Sequence, residues 1–545
     1  MKATLLLITI LFTSSISFSQ NPLVKEWDYR FGGTEDERLT CLQQTSDGGC
    51  VLGGYSYSGI SGDKTQALWG QWGLADYWIV KIDSLGNMQW DKDFGGNKSD
   101  YLYTLQQTAD GGYILGGRSD SGTNGNKTQP TWGFSDYWIV KIDSFGNIQW
   151  DKDFGGTGED WLFSLQQTTD GGYILGGYSG SGISGNKTQA TWGYVDYWIV
   201  KIDSLGNLQW DKDFGGTGND VLSSLQQTTD EGYILGGYSD SGISGNKTEP
   251  TWGYNDYWIV KIDSLGNFQW DKDLGGTNGD RLSSLQQTTD GGYILGGISY
   301  SGQSGNKTQA LWGVYGYPDY WVVKIDLNGK IQWDKDFGGT LTEDDFGNIT
   351  QTSDGGYLMA GTSYSPISGD KSEANLFWDE QTWVLKADAF GNKQWDKTIF
   401  TVGHDEQGFA LQTMNGCYVI ANNTPGGIGG YKTQPSWGYG DYWIIKFCDT
   451  TQTGILDILT SDKISIYPNP FTTTATITIN SEGRFDFILY DVFGREVFKS
   501  QIVNSKSQIE RGNLPAGVYF YKVKEEACPP DRRGKMIGSG KVVVQ

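Results

Sequence analysis

Histidine is nearly absent: His404 is the single copy in 545 residues. Chemistry that relies on an imidazole as base, shuttle or metal ligand therefore has one residue to work with. No G-x-S-x-G, H-E-x-x-H or P-loop run accompanies it. Positive charge is also short, with 41 Lys and Arg against 64 Asp and Glu, a net charge of −23. Nucleic acid and anionic membrane both need clustered Lys and Arg, so neither is an expected partner. Proline is scarce at 12 residues, and no internal stretch approaches 18 apolar residues, so no transmembrane helix is expected. Cysteine numbers only five.

What the chain has in excess is glycine (80 residues) and tryptophan (23 residues). The glycines follow no three-residue period and mark turns and bulges. The tryptophans follow a longer period. Those opening W-D-x-x-[FL]-G-G fall at Trp27, Trp90, Trp150, Trp210, Trp270 and Trp333, with Trp395 a degraded copy, at spacings of 63, 60, 60, 60, 63 and 62. A D-Y-W set falls at Trp78, Trp138, Trp198, Trp258, Trp321, Trp383 and Trp443, and a loop set at 69, 132, 192, 252, 312, 378 and 437. Three tryptophans in seven copies leave two outside the repeat, Trp72 and Trp161. A period of this length signals a repeat architecture.

Each unit contains four strand-like runs separated by Gly, Asn and Asp, the residues that suit hairpin turns. In the third copy these are V-L-S-S-L-Q-Q-T after Asp220, Y-I-L-G-G-Y-S, D-Y-W-I-V-K-I-D and L-Q-W-D-K-D-F. No apolar run has a 3.6-residue period longer than ten residues, so the fold class is all-β. Seven units of four strands imply a seven-bladed β-propeller over residues 20–447. The last unit ends at D-Y-W-I-I-K-F without its own W-D-K strand, and the chain begins with one at Trp27. The N-terminal strand is therefore expected to complete the seventh blade and remove a free sheet edge. In that order the L-S-S-L-Q-Q-T strand is innermost, and its Ser and Gln suit a water-lined channel.

Residues 1–19 read as a signal peptide: Lys2, the apolar run Leu5 to Phe12, and Ser17-Phe18-Ser19 as a small-x-small cleavage site. Residues 448–463 read as a linker. From Ile464 the texture changes to short alternating strands that suit a small Ig-like β-sandwich over 464–545. Cys417 and Cys448 fall at neighbouring strand ends of the seventh unit and are expected to form a disulfide in an oxidising compartment.

Two resemblances sharpen this reading. The double glycine of the second strand, with Tyr and Trp downstream, resembles kelch repeats, and the whole unit is similar to a propeller repeat of secreted Bacteroidetes proteins. The C-terminal runs Tyr467-Pro468-Asn469-Pro470, Asp491-Val492-Phe493-Gly494-Arg495-Glu496, Leu514-Pro515-Ala516-Gly517-Val518-Tyr519 and Gly540-Lys541-Val542-Val543-Val544 resemble the type A C-terminal sorting domain of the type IX secretion system. That resemblance implies contact with the secretion machinery and a protein that is secreted or held at the outer cell surface.

Two sets of candidate site residues fall on the loop-bearing face. One acidic residue recurs before each first strand: Glu37, Asp100, Asp160, Asp220, Asp280, Asp344 and Asp405. Such a ring is an oxygen donor set of the kind calcium takes, or each carboxylate caps its own loop. The long loops offer Trp132, Trp192, Trp252 and Trp312 beside Asn126, Asn186, Asn246 and Asn306. Aromatic faces with amides suit a sugar, or the tryptophans pack between blades. The paired carboxylates of W-D-K-D repeat too often for one tuned acid and read as salt bridges. The expected function is a binding or adhesion module for glycan or protein, not an enzyme. The alternatives are a structural surface protein without a discrete site and a polysaccharide-active enzyme.

Overall fold

The computed structural model describes residues 23–449, except 72, 314–315, 344 and 376–378. It also describes 464–544, except 468–470, 480–482, 491–494, 504–505, 513 and 526–535. The leader expected at 1–19, most of the linker, and the Y-P-N-P and D-V-F-G motifs thus fall wholly or largely outside the described residues. The contacts divide the chain into a unit ending at Cys448 and a second one beginning at Asp449. Every regular element described is a strand, and none of the described residues forms a helix long and apolar enough to cross a membrane.

The first unit consists of seven four-stranded antiparallel sheets. Sheet three is typical: Asp160–Gln167, Tyr173–Ser179, Asp196–Ile202 and Leu208–Phe214, paired in that order. Its third strand is buried on both alternations, as a strand covered on both faces must be. Sheet seven departs from sequence order. It pairs Glu406–Gln412, Tyr418–Thr424 and Asp441–Asp449, then takes Leu23–Phe31 from the start of the chain as its fourth strand.

The repeated residues explain why the sheets associate. The D-Y-W tyrosine of each of sheets one to four reaches the next sheet, donating its hydroxyl to the carbonyl of the D-Y-W tryptophan there at 2.9–3.0 Å. Its ring lies 4.8 Å from that tryptophan. Tyr442 makes the same pair of contacts with Trp78 of sheet one. The double glycine serves both contacts: a Cβ on Gly176 would stand 2.4 Å from Leu225 of the next sheet, and one on Gly177 only 1.9 Å from the Trp161 carbonyl of its own sheet.

First strands of successive sheets lie side by side, and that of sheet seven lies against that of sheet one. Their second glutamines do not face water freely. Each accepts a backbone N–H from the preceding sheet's turn, from Ser46 to Gln107, Ala109 to Gln167, and so on to Ser353 to Gln412, at 2.8–2.9 Å. Met414 to Gln44 returns this chain of bonds to its start.

Cys417 and Cys448 are joined by a disulfide, with Cα atoms 4.3 Å apart. They extend the Tyr418–Phe447 pairing of sheet seven by one step. Replacing both by Ser is expected to lower stability by about 3.7 kcal/mol, from the entropy of a closed loop of this size. Urea unfolding of the double variant, beside the reduced wild type, measures this; a midpoint equal to the oxidised wild type would refute it. Cys41 and Cys50 are free thiols, and burial pushes each up to about 12.

The second unit contains a three-stranded and a four-stranded antiparallel sheet. A common apolar core, including Phe471, Ile477, Phe485, Leu489, Ile509 and Val523, lies between them.

Candidate functional site

The candidate acids are all buried where described. Asp100, Asp160, Asp220 and Asp280 each accept the N–H of the glycine four residues earlier at 2.7 Å, and a serine hydroxyl from the following long loop. Glu37 is held similarly by Gly33 N–H and the Ser56 hydroxyl, and Asp405 by Thr401. In the sixth unit this place belongs to Glu343, bonded to Ser363 at 3.0 Å. Asp344 lies outside the described residues. Burial raises these groups, Glu37 and Asp405 to about 7 and Asp100, Asp220 and Asp280 to about 6.

Several of these carboxylates have further acids beside them, as Glu37 has Asp441 and Glu343 has Asp319. In the first repeat Asp76 opens the third strand, and Asp93 ends the W-D-K-D run of the fourth. Burial, then the charge of Asp93, pushes Asp76 up to about 9. The two carboxyls interact with each other as like charges out of water, an arrangement that favours protonation of one of them. Asp93 is also ion-paired with buried Lys64. The first aspartate of W-D-K-D has a different task. Asp211 accepts the backbone N–H and hydroxyl of Thr188 and the indole N–H of Trp198, so it fastens the long loop to its own sheet.

The candidate amides are bonded to backbone. Asn126, Asn186, Asn246 and Asn306 each accept the N–H of the first glycine of G-G at 2.7–2.8 Å. Each also donates to the carbonyl two residues before that glycine. The tryptophans are different. Trp132, Trp192, Trp252 and Trp312 are 50–55% exposed. Trp132 packs on Gly185 of the following loop, and Trp192, Trp252 and Trp312 pack in the same way on Gly245, Gly305 and Gly369. These indoles therefore pin a neighbouring loop with one face and leave the rest open. Among the described residues, the one set of three metal-type ligand atoms within 4.8 Å of one another is Glu26 with Cys417 and Cys448, whose sulfurs are bonded together.

Residues that do not recur also gather in one place, and no motif marks them. Between sheets, one cross-strand level varies in chemistry while its neighbours hold constant. It comprises Arg38–Tyr55, Tyr101–Arg118, Trp161–Tyr178, Val221–Tyr238, Arg281–Ile298 and Glu406–Asn423. The level beside it is Leu–Gly in each of the first five sheets. Two residues further along, a bulge interrupts each first strand and re-aims the extra residue. That residue varies as well: Thr40, Tyr103, Phe163, Ser223 and Ser283. Clefts of about 480 and 570 Å3 open here, one beside Arg38 and Tyr57, the other between Tyr178, Tyr238 and Arg281. The concavity at the opposite, turn-bearing face is about 680 Å3 and is lined almost wholly by repeated Gln and Thr. Trp161, one of the two tryptophans outside the repeat, was the signal in the sequence that marked the variable face.

Sheets six and seven contribute a second departure from the repeat. His404 Nδ1 lies 3.1 Å from Asp379, and its Nε2 lies 3.2 Å from Glu380. Glu406 beside them is ion-paired with Arg38.

Residues 465–529 match the family described as the secretion system C-terminal sorting domain. No curated protein is matched by the sequence. Among solved structures, the chain is similar to PorZ, described as an essential bacterial surface component of the type IX secretion system of Porphyromonas gingivalis. The identity is 13% and the TM-score 0.39, over 94% of this chain and 60% of that one. A fungal alcohol oxidase in complex with copper is similar at 12% identity and a TM-score of 0.38, over 96% and 99% of the two chains. A Synechocystis apocarotenoid oxygenase mutant is similar at 12% identity and a TM-score of 0.34, over 76% and 95%. The chain carries a type IX sorting tail, and is thereby exported to the cell surface or the medium.

Proposed function

We propose that the repeat unit is a closed seven-bladed propeller of kelch-like blades, followed by an Ig-like sorting domain, and that it binds a glycan or protein ligand on its loop-bearing face. The observation that carries this reading is the distribution of variation. Units that agree through strands, turns and buried carboxylates differ at one cross-strand level and at the bulge. Both open onto the same face, and stability alone gives no reason for Tyr, Trp, Val and Arg to alternate there. The hydrogen bonds from Ser46 round to Gln44, and the fourth strand supplied by the N-terminus, support closure. The reading is of a binder, not an enzyme: the one histidine stands between two carboxylates, and the repeated acids are buried caps and ion pairs.

A glycan array and a surface-protein array probed with the full-length protein, with calcium and again with chelator, test this reading. Retention of a ligand that survives chelation supports the face without the metal. Retention lost on chelation makes binding calcium-dependent. No retention on either array favours the structural role. Trp192→Ala, at a half-exposed loop tryptophan, is expected to leave the melting temperature within a few degrees of wild type. A large drop would mean that the contact of Trp192 with Gly245 of the next loop is needed for folding.

A further inference from the structure

The variable level is not uniform around the face, and in sheets one to three it forms a continuous aromatic arc. Tyr55 meets Tyr101 edge to face at 4.8 Å. The Arg118 guanidinium lies 4.4 Å from the Tyr101 ring and 3.8 Å from that of Trp161. Trp161 is 5.5 Å from Tyr178, which is 5.9 Å from Phe163. Phe163 and Tyr103, the two bulge residues, are 5.1 Å apart. All of these side chains are partly exposed. At the arc's far end the guanidinium of Arg281 sits 5.4 Å from the Tyr238 ring.

The charge balance here is unusual for this chain. The repeat unit contains four arginines, Arg30, Arg38, Arg118 and Arg281. Arg30 and Arg38 have acidic partners. Among the described residues no carboxylate lies within ion-pair distance of Arg118 or Arg281, although acids outnumber bases overall. Arg118 is directed instead to the Tyr103 hydroxyl and the two rings. Its Nε and the indole Nε1 of Trp161 are both covered and lack an acceptor in the chain. Hydrogen-bond donors left unmet in this way cost stability, and a guanidinium set between two aromatic rings is pre-organised to receive a carboxylate or sulfate. Aromatic faces beside it offer the stacking surface that a sugar ring takes. The overall negative charge does not oppose this decisively, because screening at physiological salt acts beyond about 8 Å.

Resting on the reading of this face as the binding face, we propose that the Tyr55–Tyr178 arc is a saccharide site selective for acidic sugars, with Arg118 receiving the carboxylate or sulfate and Trp161 and Tyr101 stacking on the ring.

Affinity electrophoresis of the full-length protein through alginate, chondroitin sulfate, dextran and laminarin tests the proposal, with Arg118→Gln, Arg118→Lys, Trp161→Ala and Trp192→Ala beside wild type and melting curves for each. The expected result is retardation by the two acidic polymers. It should weaken at least tenfold in Arg118→Gln and Trp161→Ala, recover partly in Arg118→Lys and remain unchanged in Trp192→Ala. Equal retardation by neutral polymers that Arg118→Gln does not alter overturns the acidic selectivity and leaves the face as a glycan binder. Loss in Trp192→Ala alone moves the site to the loops and overturns the arc. No retardation by any polymer overturns the proposal. The binding face itself then stands or falls on the protein array. If Trp161→Ala melts early, Arg118→Gln decides.

Discussion

Asp28→Ala lowers the stability of the repeat unit by about 3–5 kcal/mol, the cost of removing one member of a buried polar set, and exposes the N-terminal strand to protease. Asp28 is the aspartate of the N-terminal W-D run. It accepts the Thr433 N–H and hydroxyl at 2.9 and 2.8 Å and the Trp443 indole N–H at 3.1 Å, and it is ion-paired with Lys25. Burial opposes its charge, but these bonds hold its carboxyl below the usual range. The variant strands the indole N–H of a tryptophan that is almost wholly buried. Asp211→Ala is the internal control, because it removes the same three acceptor bonds from sheet three. Both variants should unfold at lower urea, but only Asp28→Ala should release a fragment cleaved near residue 31. Wild-type unfolding and an uncleaved N-terminus in Asp28→Ala would mean that the first strand does not hold sheet seven.

The completion of sheet seven by the first strand was legible in the sequence because it is a matter of phase. A chain that opens with W-D and ends with D-Y-W-I-I-K-F lacks one strand at one end and has it at the other. The strands themselves were legible for a related reason: every unit repeats the same turns and the same apolar alternation. Side-chain destinations were less legible. Asn186 and Asp220 look like ligand groups in a row of letters, because spacing does not reveal a glycine N–H standing 2.7–2.8 Å from each. The sixth unit shows the same limit. Identity of residue type favoured Asp344, whereas the distance from the double glycine places Glu343 against Ser363. The aromatic arc was hidden for the opposite reason. Its residues belong to no motif, and they emerge only when the registers of adjacent sheets bring the exceptions of three units together.

The buried carboxyls give the second large effect, a stability that falls as pH rises. Burial pushes Asp76 and Asp273 up to about 9, Asp213 and Glu343 to about 8, Glu37 and Asp405 to about 7, and Asp100, Asp220 and Asp280 to about 6, and in all but Asp405 and Asp100 a neighbouring acid adds to it. In the unfolded chain these groups titrate near 4. Between roughly pH 4 and 9 the folded state therefore binds more protons than the unfolded state, and stability declines with pH across that window. Below it the sign reverses. Hydrogen bonds from Thr108 and Lys141, and from Thr168 and Lys201, outweigh partial burial and hold Asp110 and Asp170 down to about 2. Their contribution is lost as pH falls through that range, so the maximum should lie near pH 4–5. One unit of displacement in one group is worth about 1.4 kcal/mol before relaxation and water entry reduce it. A melting temperature lower by on the order of 5–10 °C at pH 9 than at pH 5 is the expected outcome. Asp256→Asn localises the effect. Burial, with the charge of Asp256 beside it, pushes up Asp273, which also faces Lys247 at 2.5 Å. An amide in its place donates to Asp273 and lets that group ionise against the lysine, so the variant should lose less stability than wild type between pH 5 and 9. A wild-type melting temperature that is flat or rises over that interval would show that the carboxyl pairs are not protonated in the folded protein.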